Sequence, residues 1–350
     1  MPVSINQTQL PLKPPYSEII DVRSPSEFAE DHIPNAINLP VLSDTQRAEV
    51  GTLYKQVDPF TARKVGAALV SQNISTHLNN YFANKDKNYR PVVYCWRGGQ
   101  RSRSLATVLA EIGWQVRIIS GGYKTYRSYV REQLETLPAQ FNYRVLCGPT
   151  GSGKTHILRQ LHQRGANMLD LEALANHRGS VLGQEWDLVP KPQPSQKYFE
   201  SQLLQALQSH QPGSCLWVES ESNKIGQIYL PASLWNQMKQ SPGVAIEVPM
   251  ADRIQWLLRE YSHLKENPQM MKNKLRRLNS VYGRQKLQQW EQMIDAGDGE
   301  SLIGELLESH YDRSYRRSIN RCYPQIQQTL TLPDLSDTSI NTLIDFLLVG

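Results

Sequence analysis

Short apolar runs alternate with amphipathic stretches along the first third of the chain. Ile19-Ile20-Asp21-Val22 and Pro91-Val92-Val93-Tyr94 have the length and β-branched content of buried strands, and the second ends at Cys95. Leu105, Val108, Leu109 and Ile112 then recur at helical spacing up to Gly113, a residue suited to a left-handed helix end. Val116-Arg117-Ile118-Ile119 reads as a further strand and Gly121-Gly122 as a turn. A polar helical stretch from Lys124 to Leu137 stops at Pro138. The second half restarts the pattern with a strand at 143–147, a helix over 155–163 and strands expected at 167–171, 215–218 and 244–248. Residues 190–194 read as a proline-rich loop, and the pattern after Ala251 as helical to the end. Strands alternating with helices predict parallel α/β sheets. The expected organisation is an α/β domain over 1–138 and a second over 139–350, the latter with a helical, basic carboxyl-terminal region.

Composition narrows the class. The 350 residues are 39% hydrophobic and 20% charged, with strand-length apolar runs, so a globular protein without membrane association is expected. The amino terminus lacks a basic stretch followed by an apolar one, and the four cysteines then read as reduced thiols of a cytoplasmic protein. The net charge of +5 is unevenly spread. Lys and Arg are dense between Arg253 and Lys286, Arg276 and Arg277 among them, and again from Tyr311 through Tyr315, Arg316 and Arg317 to Arg321. Cations interleaved with tyrosines suit an RNA backbone with unstacked bases, and equally a solvated helical face.

Two loops carry candidate chemistry. Gly148-Pro149-Thr150-Gly151-Ser152-Gly153-Lys154-Thr155 is a complete phosphate-binding consensus between a strand and a helix. Amides from Gly151 through Ser152 and Gly153 to Thr155 would cradle phosphates, with Lys154 on the terminal ones and the Thr155 hydroxyl on Mg²⁺. Glu219, ending the Leu216-Trp217-Val218 strand, stands where such sites usually carry Asp, and Asp170 and Glu172 are competing metal or acid/base candidates. Phosphate binding is thus strongly indicated, ATP use much less. Cys147 and Cys215 read as core thiols.

The other loop runs Cys95-Trp96-Arg97-Gly98-Gly99-Gln100-Arg101-Ser102. A thiol at a strand end, followed by a glycine loop and a helix amino terminus, is placed to attack as a thiolate and hold a transferred atom as a persulfide or perselenide; Arg97 and Arg101 add positive charge. With Asp21-Val22-Arg23-Ser24-Pro25 and His32-Ile33-Pro34-Asn35-Ala36, this loop resembles the rhodanese family, although Arg101 lies one position further from the cysteine than is usual in sulfurtransferases. That spacing matches phosphatase and arsenate-reductase relatives, and the larger cradle would accept a tetrahedral oxyanion.

The pairing of the two loops, together with Ser120-Gly121-Gly122-Tyr123-Lys124, Leu169-Asp170-Leu171-Glu172 and Asn176-His177-Arg178-Gly179-Ser180, resembles the tRNA 2-selenouridine synthase family over nearly the whole chain. The family has Asp-Glu-Ser where this chain has Glu219-Ser220-Glu221-Ser222. The resemblance implies exchange of sulfur for selenium in the wobble 2-thiouridine of a tRNA anticodon stem-loop. Selenophosphate, from a selenophosphate-producing enzyme, would be the donor, and an S-geranyl intermediate made from geranyl diphosphate would precede the exchange. An ATP-dependent sulfurtransferase using a Cys95 persulfide, a phosphatase or arsenate reductase, and a nucleotide-switched RNA-binding protein are the alternatives.

Overall fold

The computed structural model describes residues 5–179, 183, 192–261 and 267–349; Ser180, Pro190, Lys191 and Lys265 lie outside them. The chain divides into two compact units. One comprises residues 1–133 with 200–205, the other 134–199 with 206–350.

The first unit contains β1 (Asn6–Thr8), β2 (Glu18–Asp21), α1 (Pro25–Glu30), β3 (Ile37–Asn38), α2 (Asp44–Gln56), α3 (Pro59–Asn80), β4 (Pro91–Tyr94), α4 (Gln100–Ile112) and β5 (Arg117–Ile119), followed by α5 (Gly122–Thr136). Its five strands, all parallel, lie in the order β1-β5-β4-β2-β3. The strand leading to Cys95 is therefore central, with Val92, Val93 and Tyr94 fully buried. Leu105, Ala106 and Leu109 seat α4 on this sheet, and Gly113 ends the helix at φ 110°. The α2–α3 pair is absent from the sequence reading because neither helix has a strong apolar stripe. Terminal chemistry defines both instead. Ser43 caps α2 by accepting from the Gln46 amide, while the Asp58 carboxylate takes the Phe60 and Thr61 amides at the start of α3.

The second unit is built on β6 (Asn142–Cys147), α6 (Lys154–Gln163), α7 (Leu171–Ala175), α8 (Gln196–Gln208, whose residues 200–205 belong to the first unit) and β7 (Cys215–Glu219). A small hairpin, β8 (Lys224–Ile225) with β9 (Ile228–Tyr229), precedes α9 (Ala232–Gln240), β10 (Gly243–Glu247) and α10 (Met250–Glu260). Helices α11 (Pro268–Leu275), α12 (Asn279–Asp295), α13 (Gly299–Leu306) and α14 (Asp312–Cys322) follow, then β11 (Ile326–Thr331) and α15 (Asp337–Val349). The sheet order is β11-β10-β6-β7, again parallel, with the strand before the phosphate loop in an interior position.

Two expectations are corrected here. The segment 167–171 makes only the isolated bridge between Met168 and Trp217, and Asp170 then caps α7. The carboxyl-terminal region is not helical throughout, since β11 adds an edge strand beside β10. Its sequence, Ile-Gln-Gln-Thr-Leu-Thr, is mostly exposed and weakly apolar, so its pairing depends on β10 and not on a local pattern.

Candidate functional site

In the first unit Cys95 sits at the carboxyl end of β4, and α4 begins five residues later. Its loop is fastened to the turn before α5 through the backbone. The Tyr123 amide donates to the Cys95 carbonyl at 2.8 Å and the Lys124 amide to that of Trp96 at 3.0 Å. Gly122, at φ 60°, is required by this approach, because a Cβ there would lie 2.2 Å from the Cys95 oxygen. The Cys95 thiol is buried and 3.2 Å from the Ser102 hydroxyl, which donates to the Gly99 carbonyl. Arg97 is exposed, whereas Arg101 is bound to Glu27 at 2.7 Å. Burial alone would raise the Glu27 carboxyl, but Arg101 and Arg47 hold it below the ordinary value. Trp96 is exposed beside the thiol, its ring centroid 5.2 Å from that of Tyr123. This aromatic surface went unnoticed in the sequence, where Trp96 was only part of the loop string.

The second unit holds the phosphate loop at the end of β6. Gly151 and Gly153 have φ of 84° and 73°, and a Cβ on Gly148 would lie 2.6 Å from the Ser152 hydroxyl. Ser152 is wholly buried and donates to the Pro149 carbonyl. Lys154 turns onto its own loop, donating to the Gly148 carbonyl at 2.9 Å. A cavity of about 420 Å³ opens over this loop, lined by Lys154, Thr155, Arg159, Arg178, Glu172, Glu219 and Glu221, with Trp256, Tyr311 and Tyr315 among its aromatic walls.

Carboxylates crowd one side of it. Oxygens of Glu172, Glu219 and Glu221 lie within 4.8 Å of one another, and the Thr155 hydroxyl donates to Glu172 at 3.0 Å. Burial pushes the Glu219 carboxyl up to about 7, with Lys154 pulling the other way and Glu221 adding to the rise. Burial, then Glu219 and Glu221, keep Glu172 well above its ordinary value; Glu221 is raised by burial as well. Glu219 Oε1 is buried with no hydrogen-bond partner among the described residues. Asp170 stands apart from this cluster, receiving Arg159 and the Ala173 amide as a helix cap. Glu221 was not singled out as a candidate. Its signal was the Glu-x-Glu spacing; the Glu221 amide donates to the Glu219 carbonyl at 2.8 Å, a tight turn just past β7.

An apolar cavity of about 220 Å³ adjoins the phosphate cavity, and the two share Thr150, Leu257, Tyr261 and Tyr311 as walls. Its other walls include Met271, Ile294, Leu302, Ile303, Leu306 and Leu307.

The basic region proves heterogeneous. Arg253 is buried, donating to the Thr150 carbonyl at 2.9 Å and to Asp312 through both guanidinium ends at 3.0 and 2.6 Å. It is a strut between the phosphate loop and α14, not part of a solvated basic face. Arg276 is exposed but paired with Glu291; Arg277, Arg316 and Arg317 are exposed. Tyr311 and Tyr315 are half-buried and turned to the phosphate cavity, and Tyr311 also packs among Leu257, Ile303 and Leu307. Of the expected core thiols, Cys147 is buried but Cys215 is exposed.

A family model described as the tRNA 2-selenouridine synthase AAA domain matches residues 141–330, and a rhodanese-like domain model matches residues 6–129. The chain is similar to tRNA 2-selenouridine synthases of Nitrosomonas europaea, 36% identical over 247 residues, Bdellovibrio bacteriovorus, 38% over 253, and Shewanella denitrificans, 40% over 246. Each alignment covers 69% of this chain and, in the same order, 63%, 64% and 65% of the relative, so the chain spans under two thirds of the curated proteins it matches. Among the described residues no helix is long and apolar enough to cross a membrane.

Proposed function

Since this chain belongs to the tRNA 2-selenouridine synthase family, we propose that it is a tRNA-modifying transferase that replaces the sulfur of wobble 2-thiouridine with selenium in two steps, one at each loop. In the first, the thiocarbonyl sulfur attacks C1 of geranyl diphosphate, the C1–O bond breaks, and diphosphate leaves with the electron pair. In the second, the Cys95 thiolate displaces geranylthiol from C2 of the base, the selenium of selenophosphate then displaces the Cys95 thiolate from C2, and water cleaves the Se–P bond so that orthophosphate leaves. Alkylation comes first because a thiocarbonyl sulfur leaves poorly until it is a thioether.

The observation that carries the first step is the pair of adjoining cavities. A ligand with a diphosphate head and an apolar tail matches a phosphate loop that shares Thr150, Leu257, Tyr261 and Tyr311 with an apolar chamber. Burying the tail contributes on the order of 0.8 kcal/mol per methylene. Lys154 would swing from the Gly148 carbonyl to the phosphates, placing its charge where negative charge develops as C1–O breaks.

A Mg²⁺ ion fits the same cavity. The Thr155 hydroxyl and the carboxylates of Glu172, Glu219 and Glu221 would hold it, and Glu219 Oε1, buried without a partner among the described residues, fits that role. Bound there, it supplies positive charge to the departing diphosphate. The second step is supported by the Cys95 geometry: a buried thiol at a central strand end, with Trp96 beside it as a surface on which the splayed anticodon base can stack.

Mass spectrometry of tRNA nucleosides from a deletion strain grown with selenite tests the reading. Loss of 2-selenouridine on deletion, restored by this chain, is the expected result. Restoration of a thiolated nucleoside instead, with a strict need for ATP, would favour the ATP-dependent sulfurtransferase.

A further inference from the structure

The first unit carries a second large concavity, about 970 Å³, that no step above uses. It lies between α2, α3 and the first turn of α4, the helix that begins five residues after Cys95. Its walls include four cations, Arg47, Lys55, Arg63 and Arg101, and no carboxylate lines it among the described residues. Of the acids on or beside these helices, Asp58 caps α3, Asp44 binds Ser26 and Glu27 clamps Arg47 and Arg101 in place, while Glu49 on α2 is exposed and does not line the groove. Lys55 and Arg63 are exposed.

The helices that form it are shaped for an open channel. None of the thirteen residues of α2 is fully buried, although a capping box fixes the helix. A Cβ on Gly66 would meet Val50 at 3.3 Å, so the glycine lets α2 and α3 approach at that level. At Gly51, which lines the groove, a Cβ would meet nothing within 4 Å. Tyr54 stands 55% exposed on its wall.

We propose that this groove binds a single-stranded segment of RNA, with phosphates on the exposed Lys55 and Arg63 and a base stacked on Tyr54. A row of cations along an open channel with an exposed aromatic ring is the chemistry that tracks an unpaired strand without reading its sequence. The groove is bounded by Gln100, Arg101 and Ser104 of α4, the helix that begins five residues after Cys95. The proposal deepens the tRNA reading above and rests on it for the identity of the RNA.

The test uses the full chain, a tRNA and a short single-stranded RNA containing 4-thiouridine. Lys55→Gln with Arg63→Gln should weaken binding of the single strand ~10-fold at low salt and make its salt dependence shallower by roughly 1.4 log units per log unit. Photo-crosslinking should label the peptide carrying Tyr54, and Tyr54→Ala should reduce that label. Alkylation of Cys95 at the wild-type rate in each variant shows that the unit remains folded. Wild-type tRNA binding that the double variant retains unchanged, or a crosslink confined to other peptides, overturns the groove while leaving the tRNA reading standing. A wild-type chain that binds neither RNA overturns both. Binding of a protein partner in place of RNA, competed by salt but not by oligonucleotide, also overturns it.

Discussion

The two loops sit alike in their sheets and differ in how they are charged. Each follows the carboxyl end of a strand flanked on both sides by parallel neighbours. The cysteine loop is locked by backbone contacts to Gly122 and Tyr123, and its nearby Arg101 is already neutralised by Glu27. The phosphate loop instead faces three buried or half-buried carboxylates, and its lysine rests on its own carbonyl. The first loop is fixed around its thiol; the second holds a buried carboxylate oxygen, Glu219 Oε1, without a partner among the described residues and a lysine turned onto its own loop. A covalent nucleophile needs a fixed position, whereas a site for a charged leaving group needs charges that rearrange when the ligand arrives.

Cys95→Ser is the sharpest way to break this comparison. Selenation should be abolished while S-geranylation of 2-thiouridine tRNA continues at a near wild-type rate, as read by nucleoside mass spectrometry, because a serine hydroxyl supplies neither the nucleophile nor the leaving group that the exchange needs. Loss of both products would show that the loops do not divide the chemistry.

Lys154→Ala should give the mirror image: geranylation slowed by an amount equivalent to about 2–4 kcal/mol, with selenation of pre-geranylated tRNA spared. Single-turnover rates check it. A wild-type geranylation rate in this variant, or an obligatory ATP requirement in the parent, removes geranyl diphosphate from the phosphate loop.

A smaller effect sharpens the electrostatic half of the contrast. The folded chain keeps protons on the Glu172, Glu219 and Glu221 group that the unfolded chain has released above the ordinary carboxylate range. Stability should therefore be greatest below that range and be lost as pH rises towards about 7, the value to which Glu219 is pushed. Replacing the acid by Glu219→Gln should remove part of this loss, on the order of 1–3 kcal/mol at alkaline pH. Mg²⁺ should raise the melting temperature of the parent more at pH 8 than at pH 5.5, and do so less in the variant. Equal Mg²⁺ responses at both pH values would contradict the assignment of the carboxylates to a cation.

Much of this was legible because local and global signals agree where loops meet strands. Cys95 and Lys154 were found from strand, glycine and helix patterns that need no tertiary information, and the structure has strands β4 and β6 ending at those loops. What the pattern concealed depended on distant partners. Glu221 joins Glu172 through the turn that follows β7, and Asp170 is held by Arg159 and a helix cap. Arg253 looked like one more surface cation, yet Asp312, fifty-nine residues on, converts it into a buried strut behind the phosphate loop. Tyr311 and Tyr315, candidate stacking surfaces for RNA, line the phosphate cavity, a placement the local pattern did not show. The α2–α3 pair escaped detection for the opposite reason: its apolar pattern is weak because one side of it faces an open groove.

The central claim is that the two loops perform successive steps on one uridine, and a hand-over experiment tests it directly. 2-Thiouridine tRNA is treated with the Cys95→Ser protein and geranyl diphosphate, repurified, and given to the Lys154→Ala protein with selenophosphate. The account predicts 2-selenouridine from this order and none when the two proteins are used in reverse. Failure in the first order, with each protein folded and binding tRNA, or equal yields in both orders, would contradict it.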